Sequence, residues 1–344
     1  MKKQTGVLLL NLGTPDDPSP AKVGEYLREF LMDPHVVDIP APVRWILVNQ
    51  VIVPRRSHAS SEAYRKIWHG ERGSPLKYHS EDLTRGVSAA LGAEYDVKFA
   101  MRYRSPSIAS VLSEWRGRDL AEIRVLPLYP QYAKATNFSS EEAVREVAAE
   151  LGIATKLRFL RPFYGDAGFL GAFARRTSEV LREGECDHVL FSFHGLPERQ
   201  LRKADRENVC LKSGDCCDRP RSPQNDTCYR AHCYATARGI AERLGLPRER
   251  WSISFQSRLG RTKWIEPYTD VVLPELAARG ARHVVVVCPA FVADCLETLE
   301  EIGMRAVELF RGAGGSTLRL VPSLNSEPDW IDAVAELARG ESFR

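Results

Sequence analysis

No stretch of this sequence is apolar for long enough to span a bilayer. The longest hydrophobic run, residues 39–53, is broken by Arg44, Asn49 and Gln50 and falls short of the ~20 residues a spanning helix needs. Low-complexity tracts are absent. With 44% hydrophobic and 27% charged residues, the composition excludes a disordered chain, a collagen-like repeat and a small disulfide-stapled scaffold. A charge excess is also missing. The 48 basic and 45 acidic residues leave a net charge of +3, which disfavours a nucleic-acid partner held by bulk positive charge but allows local basic pockets for acidic ligands. The opening Met1-Lys2-Lys3 leads into Val7-Leu8-Leu9-Leu10, which Asn11 and Gly13 interrupt too soon for a signal peptide. A cytosolic protein is expected.

What the chain does hold is length and periodic order. Its 344 residues can bury one large core or two ordinary ones. Apolar runs without alternation recur at residues 7–12, 97–103, 123–130, 189–193, 252–255 and 283–288, as parallel strands buried on both faces require. Helical patterns lie between them, among them residues 139–151, 169–182 and 227–244. This alternation predicts an open, doubly wound α/β fold. Val125-Leu126-Pro127-Leu128-Tyr129-Pro130 and Val285-Val286-Val287-Cys288-Pro289-Ala290 both run from a buried strand into a proline-marked loop, a sign of duplication. The expectation is two similar parallel-sheet lobes with a cleft between them, at residues 1–162 and 163–325, followed by a C-terminal helix in 326–344.

Ligands of such sheets sit outside the carboxyl ends of the strands. His194 follows the run 189–193, and Gly195 and Pro197 turn the chain sharply after it. It is either a strand-end histidine bonded to backbone or a functional imidazole. After the run 283–288 come Asp294, Glu297, Glu300 and Glu301. Asp294 and Glu297 have capping-box spacing, while Glu297 and Glu301 share a helix face, where carboxylates could pass a cation or carry protons.

Five of the eight cysteines, Cys210, Cys216, Cys217, Cys228 and Cys233, fall within residues 210–233, and Cys186, Cys288 and Cys295 are scattered. Crowded thiolates repel when ionised and empty, a cost that a metal centre removes. Four thiolates suit Zn²⁺ or a [2Fe–2S] cluster, and the lack of paired C-x2-C spacing weakens the zinc reading. Free or redox-active thiols are the third reading.

In six segments the chain resembles the ferrochelatases, over nearly its whole length. These are residues 7–15, Gly73-Ser74-Pro75-Leu76, Met101-Arg102-Tyr103, Ser192-Phe193-His194-Gly195-Leu196-Pro197, residues 255–260 through Trp264 to Asp270, and residues 289–299. The resemblance implies two α/β lobes around a porphyrin cleft and insertion of ferrous iron into protoporphyrin IX. It implies that His194 is the active-site histidine and Glu297 its acidic partner across the cleft, each able to meet the metal or a pyrrole proton. A site that binds a bent macrocycle resembles the transition state more than the substrate. Tyr103, Tyr129 and Trp264 are expected as porphyrin walls and Arg102 as a propionate anchor, with ordinary core positions as the alternative for the aromatics. Residues 36–53, with Trp45 among Arg44, Arg55 and Arg56, are expected either as a lip on a membrane surface or as a core helix.

The chain departs from the family at two positions. Cys295 stands where animal relatives often carry histidine. Asp16 follows Gly-Thr-Pro where relatives that metallate coproporphyrin place tyrosine, which points to protoporphyrin IX. Some bacterial ferrochelatases carry a cysteine-rich segment that binds a [2Fe–2S] cluster, so Cys210, Cys217, Cys228 and Cys233 are the expected ligands here, with Cys216 as the alternative to Cys217. The rival readings are a cobalt or nickel chelatase for another tetrapyrrole and an iron–sulfur sensor or electron-transfer protein. The second leaves His194 and the glutamates unexplained.

Overall fold

The computed structural model describes residues 3–205, 208–219, 226–260 and 262–344. The chain divides into two compact units, one of residues 1–129, 134–162 and 325–344, the other of residues 130–133 and 163–324. Each is built on a four-stranded parallel sheet.

In the first unit the strands are β1 (Thr5–Gly13), β2 (Tyr95–Tyr103), β3 (Ile123–Pro127) and β4 (Leu157–Phe159), in the order β2-β1-β3-β4. Val7, Leu8, Leu9 and Leu10 are each at most 1% exposed, which explains why β1 reads as an unbroken apolar run. Leu8 and Leu10 pack with Val111, Leu112, Trp115, Val144 and Ala148 from helices Ile108–Ser113 and Ser139–Glu150 and the turn between the first of these and β3. Helix Pro75–Leu91 also contacts β1 and β2, and helix Pro328–Arg339 packs on it, so the C-terminal helix belongs to this unit.

The second unit repeats the plan with β5 (His188–His194), β6 (Trp251–Gln256), β7 (His283–Val287) and β8 (Thr317–Leu320), ordered β6-β5-β7-β8. The expected duplication is therefore a repeated topology. Leu190, Val284 and Val286 pack with Leu273, Leu276, Ile302 and Phe310, and helices Ala167–Arg182 and Tyr229–Arg243 also contact this sheet. In both units the strand order reverses between the first and third strands, which places the ligand-binding position at their carboxyl ends. In the second unit those ends lead into His194 and into the loop carrying Glu297.

The segment after β7 continues as a π-helix, Glu297–Ala306, and then as helix Val307–Gly312. Single π-helical turns occur often at functional sites. The helix takes Leu296, not Asp294, as its N-cap residue. Asp294 Oδ1 instead accepts from the Thr298 hydroxyl at 3.0 Å and the Ser323 N–H at 3.2 Å. Among the described residues no helix is long and apolar enough to cross a membrane.

Candidate active site

His194 is the last residue of β5, directly opposite Gln256 of β6. Its Nδ1 lies 2.6 Å from the Gly195 carbonyl oxygen. A carbonyl only accepts, so in the neutral ring Nδ1 carries the proton and Nε2 keeps its lone pair for a proton or a metal. The turn that arranges this needs glycine. A Cβ at Gly195 would stand 2.8 Å from the Gln256 carbonyl oxygen and 3.2 Å from the Trp264 ring. The Tyr229 hydroxyl donates to the His194 carbonyl at 2.8 Å, so backbone on both sides of the ring is fixed. The Trp264 and Phe291 rings flank the imidazole, each with its centroid 6.3 Å away. Trp264 is held by its indole N–H on the Leu259 carbonyl at 2.9 Å.

Glu297 opens the π-helix. Its carbonyl accepts from the Gln256 side chain at 2.9 Å, which brings the first turn of that helix to the strand end occupied by His194. Burial, with the Glu297 carboxylate beside it, pushes the Cys295 thiol well up. Cys295 is therefore a neutral thiol against a carboxylate, where an imidazole would have been a second base. The two neighbouring glutamates differ from Glu297. Glu301 is anchored by the Ser257 N–H at 2.8 Å, the Ser257 hydroxyl and the Gln256 amide, and Glu300 is buried on Arg305 at 2.8 Å. A carboxylate carrying three donors is a fixed anchor.

Arg102, Tyr103 and Tyr129 lie in the first unit. Arg102 donates to Asp33 at 2.7 Å and to Ser139 at 2.9 Å, and the Tyr103 hydroxyl donates to the same Asp33 oxygen at 2.9 Å. Tyr103 is 1% exposed and Tyr129 8%. Burial drives both phenols up, with Asp33 adding to the effect at Tyr103. The porphyrin-wall expectation for the two tyrosines meets, in this structure, packed core positions. Arg102 would have to share itself between Asp33 and any propionate. Burial opposes ionisation of Asp33, yet hydrogen bonds from Ser139, the His35 N–H and Tyr103, with the Arg102 charge, hold its carboxyl below the usual range. A depressed carboxylate stabilises the fold above its unfolded value and loses that contribution as pH falls through the folded one. Asp33→Asn should therefore cost about 2 kcal/mol at pH 7 and flatten the loss of stability below about pH 4, as read from urea midpoints across pH.

The cysteine segment brings four thiols together. Cys210, Cys217 and Cys228 are buried in one cluster with half-buried Cys216 against it, and Cys216 and Cys217 sulfurs are 3.8 Å apart. Cys228 hydrogen-bonds both Cys210 and Cys217, and the Cys210 contact and burial push it up to about 12. Arg230 donates to the Cys217 sulfur at 3.1 Å. Cys233 is fully buried against Tyr229, and the nearby Cys217 and Cys228 thiols help push its own thiol up, though it does not pack in that cluster. Residues 220–225 of the segment lie outside the described residues. Among the described residues no three His, Cys, Asp or Glu side chains are grouped to hold a metal ion.

Sequence reasoning passed over Gln256, Ser257 and Tyr229, which hold the site in place. Gln256 and Ser257 stand in a family segment, but nothing in their residue types announces the contacts.

Solved chelatases share the fold. SirB from Bacillus subtilis with Fe³⁺ superposes with a TM-score of 0.54 at 13% identity, covering 98% of this chain and 94% of that one. CbiX, the terminal enzyme for biosynthesis of sirohaem in denitrifying bacteria, gives 0.51 at 12% identity and covers 98% of each chain. The two-sheet parallel α/β fold is thus the one these chelatases share. A family model for ferrochelatase matches residues 4–342. Ferrochelatases of Azotobacter vinelandii and Stutzerimonas stutzeri are 48% and 47% identical to this chain, over 97% of it and 98% and 97% of theirs. A Coxiella burnetii ferrochelatase is 44% identical over 97% of this chain and 93% of its own. The chain belongs to the ferrochelatase family. Membership makes it an enzyme of haem biosynthesis that inserts iron into protoporphyrin.

Proposed function

We propose that His194 and Glu297 carry out the insertion, with ferrous iron as the substrate metal and protoporphyrin IX as the macrocycle. Metal entry displaces two pyrrole protons, so the site needs a proton acceptor and a group that meets the cation. The observation that carries this reading is the His194 Nδ1 bond to Gly195, which leaves Nε2 to act at the strand end where Glu297 begins its helix. His194 accepts a pyrrole proton or presents its nitrogen to iron, and Glu297 shares the metal or relays the proton. Trp264 and Phe291 supply the flat apolar surface that a porphyrin face needs. Asp16 supports protoporphyrin IX over coproporphyrin, being committed to Arg104 beside Glu25. The test is anaerobic incubation with ferrous iron and, in parallel, protoporphyrin IX, coproporphyrin III and sirohydrochlorin. Protohaem should form with a kcat/KM at least about tenfold above either competitor, roughly 1.4 kcal/mol of discrimination. Preferred metallation of sirohydrochlorin, or use of cobalt or nickel only, would favour the other chelatase reading.

The thiol cluster suits a [2Fe–2S] centre better than a mononuclear ion. In such a centre each iron takes two thiolates, so the protein must offer pairs, and Cys216–Cys217 and Cys210–Cys228 are contacting pairs. Arg230 offsets the negative charge that thiolate ligands would bring. The ligand set we propose is Cys210, Cys216, Cys217 and Cys228, with Cys216 in place of Cys233. Bound there, the cluster would supply a one-electron redox centre or a structural clasp. Protein purified without air should hold about two irons and two acid-labile sulfides per chain. Cys216→Ser should lose the visible absorption and Cys233→Ser keep it. Zinc, or neither metal, in the purified chain would overturn the assignment.

Peripheral membrane attachment at the cytoplasmic face rests on Val43, Trp45 and Ile46, which are 55%, 51% and 56% exposed on helix Ala41–Ile46. Arg44 turns inward and donates to the Val37 and Ile39 carbonyls, so the exposed face is apolar. The protein should float with anionic vesicles, and Trp45→Ser with Ile46→Ser should stay at the bottom of the gradient.

A further inference from the structure

Gln256 closes β6 with its side chain 3% exposed. Its amide nitrogen donates to the Glu297 carbonyl at 2.9 Å and to the Glu301 carboxylate at 3.2 Å. Both partners only accept, so the amide can face only one way. The amide oxygen then accepts from the Ser192 hydroxyl at 2.8 Å. Because Ser192 spends its proton there, it receives one from Thr269 at 2.9 Å, and Thr269 receives one from Ser254 at 2.8 Å. Ser192 and Ser254 are wholly buried and Thr269 is 4% exposed. One directed row of hydrogen bonds thus runs from Ser254 of β6 through Thr269 of helix Thr269–Ala278 and Ser192 of β5 to Gln256 at the end of β6, and from there into the first turn of the π-helix. Such rows strengthen each member and resist rotation.

The two ends of that first turn are held differently. Glu301 has two further ties to Ser257, whose left-handed backbone, φ +65°, aims both its N–H and its hydroxyl at the carboxylate. The Glu297 carbonyl has only Gln256 as a side-chain donor among the described residues. Removing the amide therefore loosens the Glu297 end and leaves the Glu301 end anchored.

We propose that Gln256 is a positioning residue for metal insertion, setting the Glu297 carboxylate against its strand neighbour His194 while touching neither iron nor porphyrin. The inference rests on the reading of His194 and Glu297 as the reacting pair. Gln256→Met keeps the side-chain volume and deletes the amide. It should lower kcat about 30-fold, the scale of a sub-ångström misplacement of a reacting group, with KM for porphyrin and for ferrous iron within about twofold of wild type. Ser192→Ala, which removes the shorter of the two donors on the amide oxygen and leaves the Cys288 thiol at 3.7 Å, should lower kcat about threefold with the same KM pattern. The double variant should be no slower than Gln256→Met alone, because both act through one row. A kcat within twofold of wild type for Gln256→Met, a loss expressed in porphyrin KM, or multiplicative effects in the double variant would overturn the proposal. If Gln256→Met does not accumulate as folded protein, Ser192→Ala decides by the same split of kcat from KM. Wild-type protein that forms no haem would instead overturn the underlying reading.

Discussion

His194→Ala should reduce iron insertion by about three orders of magnitude, the middle of the range for losing a positioned acid–base group, while porphyrin still binds. The separation of the two effects follows from how the histidine is held. Its imidazole is fixed through Nδ1 and the Gly195 carbonyl, so deletion removes Nε2 and disturbs little else. Trp264 keeps its own anchor on Leu259, and Phe291 is held by its N–H on the Cys288 carbonyl at 3.0 Å. The apolar surface proposed to receive the macrocycle therefore survives. Haem formation under anaerobic conditions and quenching of intrinsic fluorescence by protoporphyrin measure the two quantities separately. Turnover near that of wild type would remove His194 from the reaction.

Gly13→Ala should cost about 4 kcal/mol or more, a large share of the roughly 5–15 kcal/mol by which a domain is stable. Gly13 ends β1 opposite Tyr103 of β2, with φ at +121°. A Cβ there would enter the Tyr103 carbonyl oxygen. Two penalties coincide: a backbone angle that side chains rarely adopt, and a collision with backbone that cannot retreat without breaking the β1–β2 pairing. Gly171 is the control. It lies inside helix Ala167–Arg182 with nothing within 4 Å of a built Cβ, so Gly171→Ala should stabilise by roughly 0.5–1 kcal/mol. Urea midpoints for the two variants should move in opposite directions, and equal midpoints would contradict the geometry.

Strand position was legible wherever a strand is buried on both faces. The runs at residues 7–12, 123–130, 189–193 and 283–288 become central or near-central parallel strands for that reason. β4 and β8 were not legible. They are short edge strands, and Leu157-Arg158-Phe159 alternates buried, exposed, buried over too few residues to signal a period. Helix type was equally hidden, since residue spacing placed Glu297 and Glu301 on one helix face but carried no mark of the π-helical backbone. The cysteine density pointed to a thiol cluster, whereas which thiols pack together, Cys216 against buried Cys210, Cys217 and Cys228, could not be read from spacing. His194 and Glu297 could be named from motif position, but their supports could not. A buried amide such as Gln256 has no sequence signature, because its partners are fixed only when β5, β6 and the π-helix meet.

We propose that His194 and Glu297 face one macrocycle during metal entry. A crystal structure with a porphyrin held bent by alkylation of one pyrrole nitrogen tests it most directly, since that shape imitates the metal-accepting state. His194 Nε2 and a Glu297 carboxylate oxygen should be directed at the pyrrole nitrogens, with Trp264 and Phe291 against the ring. A macrocycle bound with neither side chain in reach of its nitrogens would contradict it.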